Sequence, residues 1–297
     1  MREPVTAIVQ KVSVLLLAVS LAACQTAPAA PTAGTGSQVA AVQSSSLPTI
    51  SYAPATAIER GYSALVLNAA TGEELYAVDA DAARFPASLT KMMTLYMLFE
   101  AVSSGRYTLS SPLRISEKAA SQPPAKLGLK TGSTITVEQA AQAIAVKSAN
   151  DVGVTIAENL AGSEAAFARK MTQKAKALGL KRTRFVNATG LPDPAQVTSA
   201  RDMAKLGLAL KRRFPQYASY YRAKSFTYNG RTFRATNNLL GKVSGVDGLK
   251  TGYVRMSGYN LVATVRRGGN SLIVVVMGGK SETVRDKEVT RLIERYS

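Results

Sequence analysis

The chemistry available to this sequence concentrates at three short stretches, the first being Ser88-Leu89-Thr90-Lys91. A serine hydroxyl becomes a useful nucleophile when a neighbouring base takes its proton. The usual base is missing, because none of the 297 residues is His. That excludes Ser-His-Asp and Cys-His arrangements and removes the commonest zinc ligand. Lys is the natural substitute: three positions on a helix put Ser88 and Lys91 on one face, and Lys follows Ser at that spacing nowhere else in the chain. To accept a proton near neutral pH the Lys91 amine must be largely neutral, which burial and neighbouring positive charge achieve by disfavouring the charged form.

Alone, the pair would read as a helix cap followed by a surface charge. Two further motifs change that reading. Lys147-Ser148-Ala149-Asn150 supplies the sole Ser-x-Asn, and Val246-Asp247-Gly248-Leu249-Lys250-Thr251-Gly252 supplies a Lys-Thr-Gly after it. The ordered triple is a strong signal for acyl transfer by serine. Another Lys-Thr-Gly, Lys130-Thr131-Gly132, precedes Ser-x-Asn and runs into a capping box at Thr136 and Gln139, so it reads as a loop.

With these motifs come Pro86-Ala87-Ser88-Leu89-Thr90-Lys91-Met92-Met93-Thr94, Ser148-Ala149-Asn150-Asp151, Thr189-Gly190-Leu191, Ala200-Arg201-Asp202-Met203-Ala204 and Gly258-Tyr259-Asn260-Leu261-Val262. On them the chain resembles the low-molecular-mass penicillin-binding proteins, specifically the D-alanyl-D-alanine carboxypeptidases, over roughly residues 50–297. The resemblance implies a β-lactamase/transpeptidase-like fold and a reaction on peptidoglycan stem peptides. Ser88 would attack the carbonyl of the terminal D-Ala-D-Ala bond while Lys91 takes its proton, and water would hydrolyse the acyl-enzyme. Ser148 would pass a proton toward the leaving amine, and Asn150 would hold the substrate amide and Lys91. Lys250 and Thr251 would bind the free carboxylate, and Gly252 would let the substrate backbone lie against its strand. The oxyanion hole would come from the backbone N–H groups of Ser88 and Tyr253. β-Lactams would acylate the same serine, and no cofactor or metal is implied.

Competing readings are a D,D-endopeptidase of the same fold, a serine β-lactamase, and a non-catalytic wall-binding or β-lactam-sensing module. The commonest β-lactamase class adds a Glu for its deacylating water, where this chain reads Asp193-Pro194-Ala195-Gln196. Intact motifs argue against a non-catalytic module. A net charge of +18 invites nucleic acid, but scattered cations and an export signal argue against it.

Positioning three distant motifs requires strands and helices in a set order. Strand-like runs at 62–67 and 73–78 flank the turn Asn68-Ala69-Ala70-Thr71-Gly72. Residues 88–102 are apolar on almost every side and predict a buried helix. A helical subdomain is expected over 136–213, then strands at 224–228, 246–254, 259–266 and 271–277, and a closing amphipathic helix over 284–296. Strands at both ends with helices between predict an α+β domain whose terminal segments share one antiparallel sheet.

With 46% apolar residues the chain can bury a substantial core. Its first part is different. Arg2 and Lys11 precede an apolar run that ends at Leu21-Ala22-Ala23-Cys24, the layout of a secretory signal, too short to remain a membrane span. It resembles a bacterial lipobox, which makes 1–23 a lipoprotein-type signal peptide and Cys24, the one cysteine, a lipidated residue. The less favoured reading is an ordinary signal cut later, among Ala27, Ala29 and Ala30. Residues 24–51 carry no charge and few large apolar groups, which suits a flexible tether. A D,D-carboxypeptidase domain is expected over 52–297, without a carboxy-terminal β domain, so that a periplasmic protein is held to the inner or outer membrane by its lipidated amino end.

Overall fold

The structure, a computed structural model, describes residues 60–297. The signal peptide, Cys24 and the tether lie outside the described residues.

Strands β1 (Ser63–Asn68) and β2 (Glu74–Val78) form the first hairpin, and Asn68 Oδ1 accepts from the N–H groups of Ala70 and Thr71 in its turn. A 3₁₀ turn at Ala87–Thr90 leads into α1 (Lys91–Ser103). The serine of the Ser-x-x-Lys motif therefore sits on the 3₁₀ turn and not inside the α-helix. The two side chains still meet, because residues three apart eclipse in a 3₁₀ turn. Next come β3 (Pro112–Arg114), α2 (Glu117–Ala120) and β4 (Thr134–Thr136), then α3 (Val137–Val146), which opens on the predicted capping box of Thr136 and Gln139. Helices α4 (Asn150–Ala161), α5 (Glu164–Ala177), α6 (Ala200–Arg213) and α7 (Ala218–Arg222) complete the helical part. Strands β5 (Ser225–Tyr228) and β6 (Arg231–Arg234) precede the long β7 (Val246–Val254), β8 (Gly258–Arg267) and β9 (Asn270–Gly279), and α8 (Glu282–Tyr296) closes the chain.

The main sheet has the order β2-β1-β9-β8-β7 with every pair antiparallel. Ser63 stands opposite Met277 and Asn68 opposite Leu272, so the two ends of the domain share one sheet as predicted. The strand expected at 224–228 does not join it. β5 pairs with β6 in a separate ribbon, whose Phe226 and Phe233 face each other and are buried in the helical core.

The central strands read as continuous apolar runs because both faces are covered. Alternation sends Leu65, Val262, Ile273, Val275 and Met277 into the core shared with the helices, while Ala64, Val66, Leu261, Val274 and Val276 pack under α8. The last strand in the order, β7, is an edge, and it packs against the 3₁₀ turn that carries Ser88.

Candidate active site

Ser88 is delivered by a strained turn. Ala87, just before it, has φ +47°, a left-handed conformation that a residue with a Cβ holds only when its surroundings enforce it. Gly190 is one enforcer: at φ +82° it lies so near the Ala87 carbonyl that a Cβ there would collide with it. Gly252 on β7 is similarly close, since a Cβ would stand 3.1 Å from both the Pro86 carbonyl oxygen and the Ser88 nitrogen.

Lys91, the first residue of α1, is fully buried. Its Nζ reaches Ser88 Oγ at 3.0 Å, Asn150 Oδ1 at 2.8 Å and the Thr189 carbonyl at 2.6 Å. The same geometry serves a neutral amine, whose two N–H groups go to Asn150 and Thr189 while the lone pair faces the Ser88 hydroxyl. Burial, reinforced by the nearby Lys250 charge, holds Lys91 well below the ordinary lysine range, against the opposing pull of Asp151 and Glu164.

The opposite corner is made where α3 gives way to α4. Ser148 has φ +61° and a buried Oγ with no hydrogen-bond partner among the described residues. Asn150 is the first residue of α4 but does not cap it. Its Nδ2 donates to the carbonyls of Pro123 and Pro124, which turns Oδ1 toward Lys91. The buried Asp151 carboxylate accepts from the backbone N–H groups of Leu127, Gly128, Leu129 and Val152, tying that loop to the helix start.

On β7, Lys250 is buried and donates to the Thr251 carbonyl at 2.9 Å. Burial and the neighbouring Arg285 cation push its pKa down to about 7. Thr251 Oγ1 donates to Thr236 Oγ1 at 2.8 Å. Tyr253 is 51% exposed and stacks on Tyr259 with ring centroids 4.2 Å apart.

These walls enclose a cavity of about 270 Å³. Ser88, Ser148, Asn150, Thr251, Gly252 and Tyr253 line it, the buried Lys91 bonds to two of them, Ser88 and Asn150, and the buried Lys250 bonds to the Thr251 carbonyl. Thus the eight predicted residues within the described part converge, while Cys24 lies outside it. Larger clefts of about 650 and 1210 Å³ lie elsewhere. In the first, Lys211 also meets a hydroxyl, Thr264 Oγ1 at 3.0 Å, but Asp247 pairs with that amine and accepts the hydroxyl proton. Burial lowers the Lys211 pKa from its ordinary value, and Asp247 opposes that shift without reversing it.

Arg285 on α8 was missed from sequence. Its guanidinium is buried, pairs with Asp286 at 2.6 Å and Glu282 at 3.4 Å, and lines the cavity beside Thr251. The available signal was its place on the apolar stripe of α8 with Val289, Leu292 and Ile293, where a charge needs a reason.

The fold and this constellation are of the penicillin-binding-protein class. The profile of the D-alanyl-D-alanine carboxypeptidase family matches residues 51–281, and the chain belongs to that family. It is 40% identical over 230 residues to D-alanyl-D-alanine carboxypeptidase DacA of Escherichia coli strain K12, covering 75% of this chain and 57% of that one. It is 36% identical over 242 residues to DacF of Bacillus subtilis strain 168, covering 78% and 61%. The chain thus spans about three-fifths of the length of these curated relatives. Among solved structures, penicillin binding protein 5 from Haemophilus influenzae aligns with TM-score 0.76 and 33% identity over 82% of this chain and 72% of that one. Penicillin-binding protein D2 from Listeria monocytogenes, in its cefotaxime-bound form, aligns with TM-score 0.72 and 31% identity over 80% and 96%.

Proposed function

We propose that this protein is a serine-type D-Ala-D-Ala carboxypeptidase that removes the terminal D-Ala from peptidoglycan stem peptides. The observation that carries the reading is the 3.0 Å contact between Ser88 Oγ and a buried, amine-biased Lys91 at the wall of a cavity. Lys91 takes the Ser88 proton as Oγ attacks the scissile carbonyl, and the oxyanion is received by the N–H groups of Ser88 and Tyr253, each donor worth about 3 kcal/mol. Ser148, whose hydroxyl is uncommitted, passes a proton to the leaving D-Ala amine. Asn150 orients Lys91 and the substrate amide. Lys250, Thr251 and Arg285 receive the free carboxylate, a charge-assisted contact in a buried setting. Water then hydrolyses the acyl-enzyme, and β-lactams acylate Ser88 by the same route.

The test is D-Ala release from diacetyl-Lys-D-Ala-D-Ala by protein beginning after Cys24, with Ser88→Ala alongside. Release that disappears in the variant supports the reading. No release, with a fluorescent penicillin still labelling Ser88, moves the assignment to an endopeptidase or a sensor.

The protein works in the periplasm, held by lipid on Cys24 through the tether over 24–51. This rests on Leu21-Ala22-Ala23-Cys24. Labelled palmitate incorporation that survives Cys24→Ser would overturn it.

A further inference from the structure

We infer that Asn260 is the positioning residue of the nucleophile: from the sheet, its carboxamide clamps the two carbonyls preceding the Ala87–Ser88 turn and so sets Ser88 Oγ against Lys91. The inference rests on the acyl-transfer reading above.

Asn260 lies in β8, in the run Tyr259-Asn260-Leu261-Val262, and is fully buried among apolar neighbours. A buried carboxamide is costly unless its groups are satisfied, and here they are spent on one purpose. Nδ2 donates to the Phe85 carbonyl at 3.1 Å and the Pro86 carbonyl at 3.2 Å, while Oδ1 accepts from the Gly278 N–H at 2.9 Å.

Three backbone features converge on that side chain. The β8–β9 register slips between Tyr259 and Leu261, so Tyr259 faces Gly279 but Leu261 faces Val276. Such a bulge leaves a ladder group unpaired and re-aims side chains. Asn260 Oδ1 satisfies the Gly278 N–H at that slip. Across the other edge, Asn260 is the cross-strand partner of Gly252. Any side chain at Gly252 would press on the Pro86 carbonyl that Asn260 holds. The absent Cβ of Lys-Thr-Gly therefore makes room for the nucleophile segment as well as for a substrate. Finally, the gripped carbonyls belong to the residues just ahead of Ala87, whose left-handed backbone must be enforced from outside. Gly190 packs against the Ala87 carbonyl, and Asn260 holds the preceding peptide groups.

A misplacement of about 1 Å at a reacting group costs on the order of a hundredfold in rate. Releasing the clamp should therefore slow the covalent step without weakening the preceding complex, because Asn260 does not line the cavity. The experiment resolves acylation by fluorescent penicillin into non-covalent affinity and limiting rate for the native protein, Asn260→Leu and Asn260→Ser, with thermal midpoints for each. Phe167→Leu, buried on α5 in the helical core and outside the residues lining the cavity, serves as the control for lost stability. The expected result is a limiting rate about a hundredfold lower in Asn260→Leu, with affinity within about twofold. Asn260→Ser, which keeps a short donor and leaves a smaller disturbance, is expected between that variant and the native protein; it carries the test alone if Asn260→Leu fails to fold. A folded Asn260→Ser acylating at the native limiting rate overturns the proposal, as does a loss confined to affinity or an equal loss in Phe167→Leu. If the native protein takes up no penicillin at Ser88, the acyl-transfer reading itself falls and this inference falls with it.

Discussion

Two buried lysines adjoin the cavity, Lys91 on α1 and Lys250 on β7, and their surroundings differ. Lys91 has three oxygen acceptors, from Ser88, Asn150 and Thr189, and feels Asp151 and Glu164. Lys250 has the Thr251 carbonyl and, nearby, the like charge of Arg285. Burial depresses both, yet the surroundings separate the roles. The helical-wall amine has its hydroxyl already placed and needs only to shed its own proton. The sheet-edge amine lacks an anion, and its shift from 10.5 to about 7 corresponds to roughly 5 kcal/mol disfavouring the cation. On the proposed function, a substrate carboxylate beside Lys250 and Arg285 would restore that charge, so the sheet edge would turn burial into affinity while the helical wall would turn it into basicity.

The largest effect expected from breaking this division is at Lys91. Lys91→Met should lower kcat by roughly 10²–10⁴, the scale of a lost general base, with KM changed little in steady-state peptide hydrolysis; a loss carried by KM would reverse the two roles. Lys250→Gln should do the opposite, raising KM about a hundredfold, the scale of roughly 3 kcal/mol for one partner of a buried charged contact.

The pH profile sharpens the same contrast. Lys250 is a cation below about pH 7 and loses that charge as pH rises, so carboxylate affinity should fall on the alkaline side. Lys91, its pKa well below the usual range, must be deprotonated to act, so kcat should fall on the acid side. The alkaline limb should appear in KM and move to higher pH in Lys250→Arg, because a guanidinium stays charged. An alkaline limb unmoved by that substitution would assign it to another group.

Smaller changes probe what holds the two walls together. Gly190→Ala forces a Cβ into the Ala87 carbonyl at a left-handed position; the left-handed strain alone costs about 1–3 kcal/mol in unfolding free energy, the backbone overlap adds to it, and slowed penicillin acylation is expected. The smallest effect is expected at Tyr253. Removing its half-exposed ring in Tyr253→Ala should alter acylation only a few-fold, and more for penicillins with aryl side chains, since an aromatic pair contributes about 1 kcal/mol.

Much of this site was legible in sequence because the groups that react are chosen by type and order. An absent imidazole, a unique Ser-x-x-Lys, a unique Ser-x-Asn and a following Lys-Thr-Gly leave few chemistries open. Apolar alternation likewise revealed strands at both ends and a buried α1, since periodicity records which faces meet a core. Pairing was less visible. The ribbon of β5 and β6 has the same local pattern as a sheet strand, and its separation follows from which core its Phe226 and Phe233 reach.

Sequence by itself determined the candidate reacting groups, their order along the chain and the two-ended sheet, because local propensity and residue chemistry survive without neighbours. Tertiary structure alone decided the rest: that Ser88 rides a strained 3₁₀ turn, that Arg285 returns from the last helix to the cavity, and that Asn260 reaches the carbonyls before the nucleophile. Those facts depend on contacts between residues far apart in the chain. The protonation of both lysines depends on how much water the folded walls exclude and which charges they bring near.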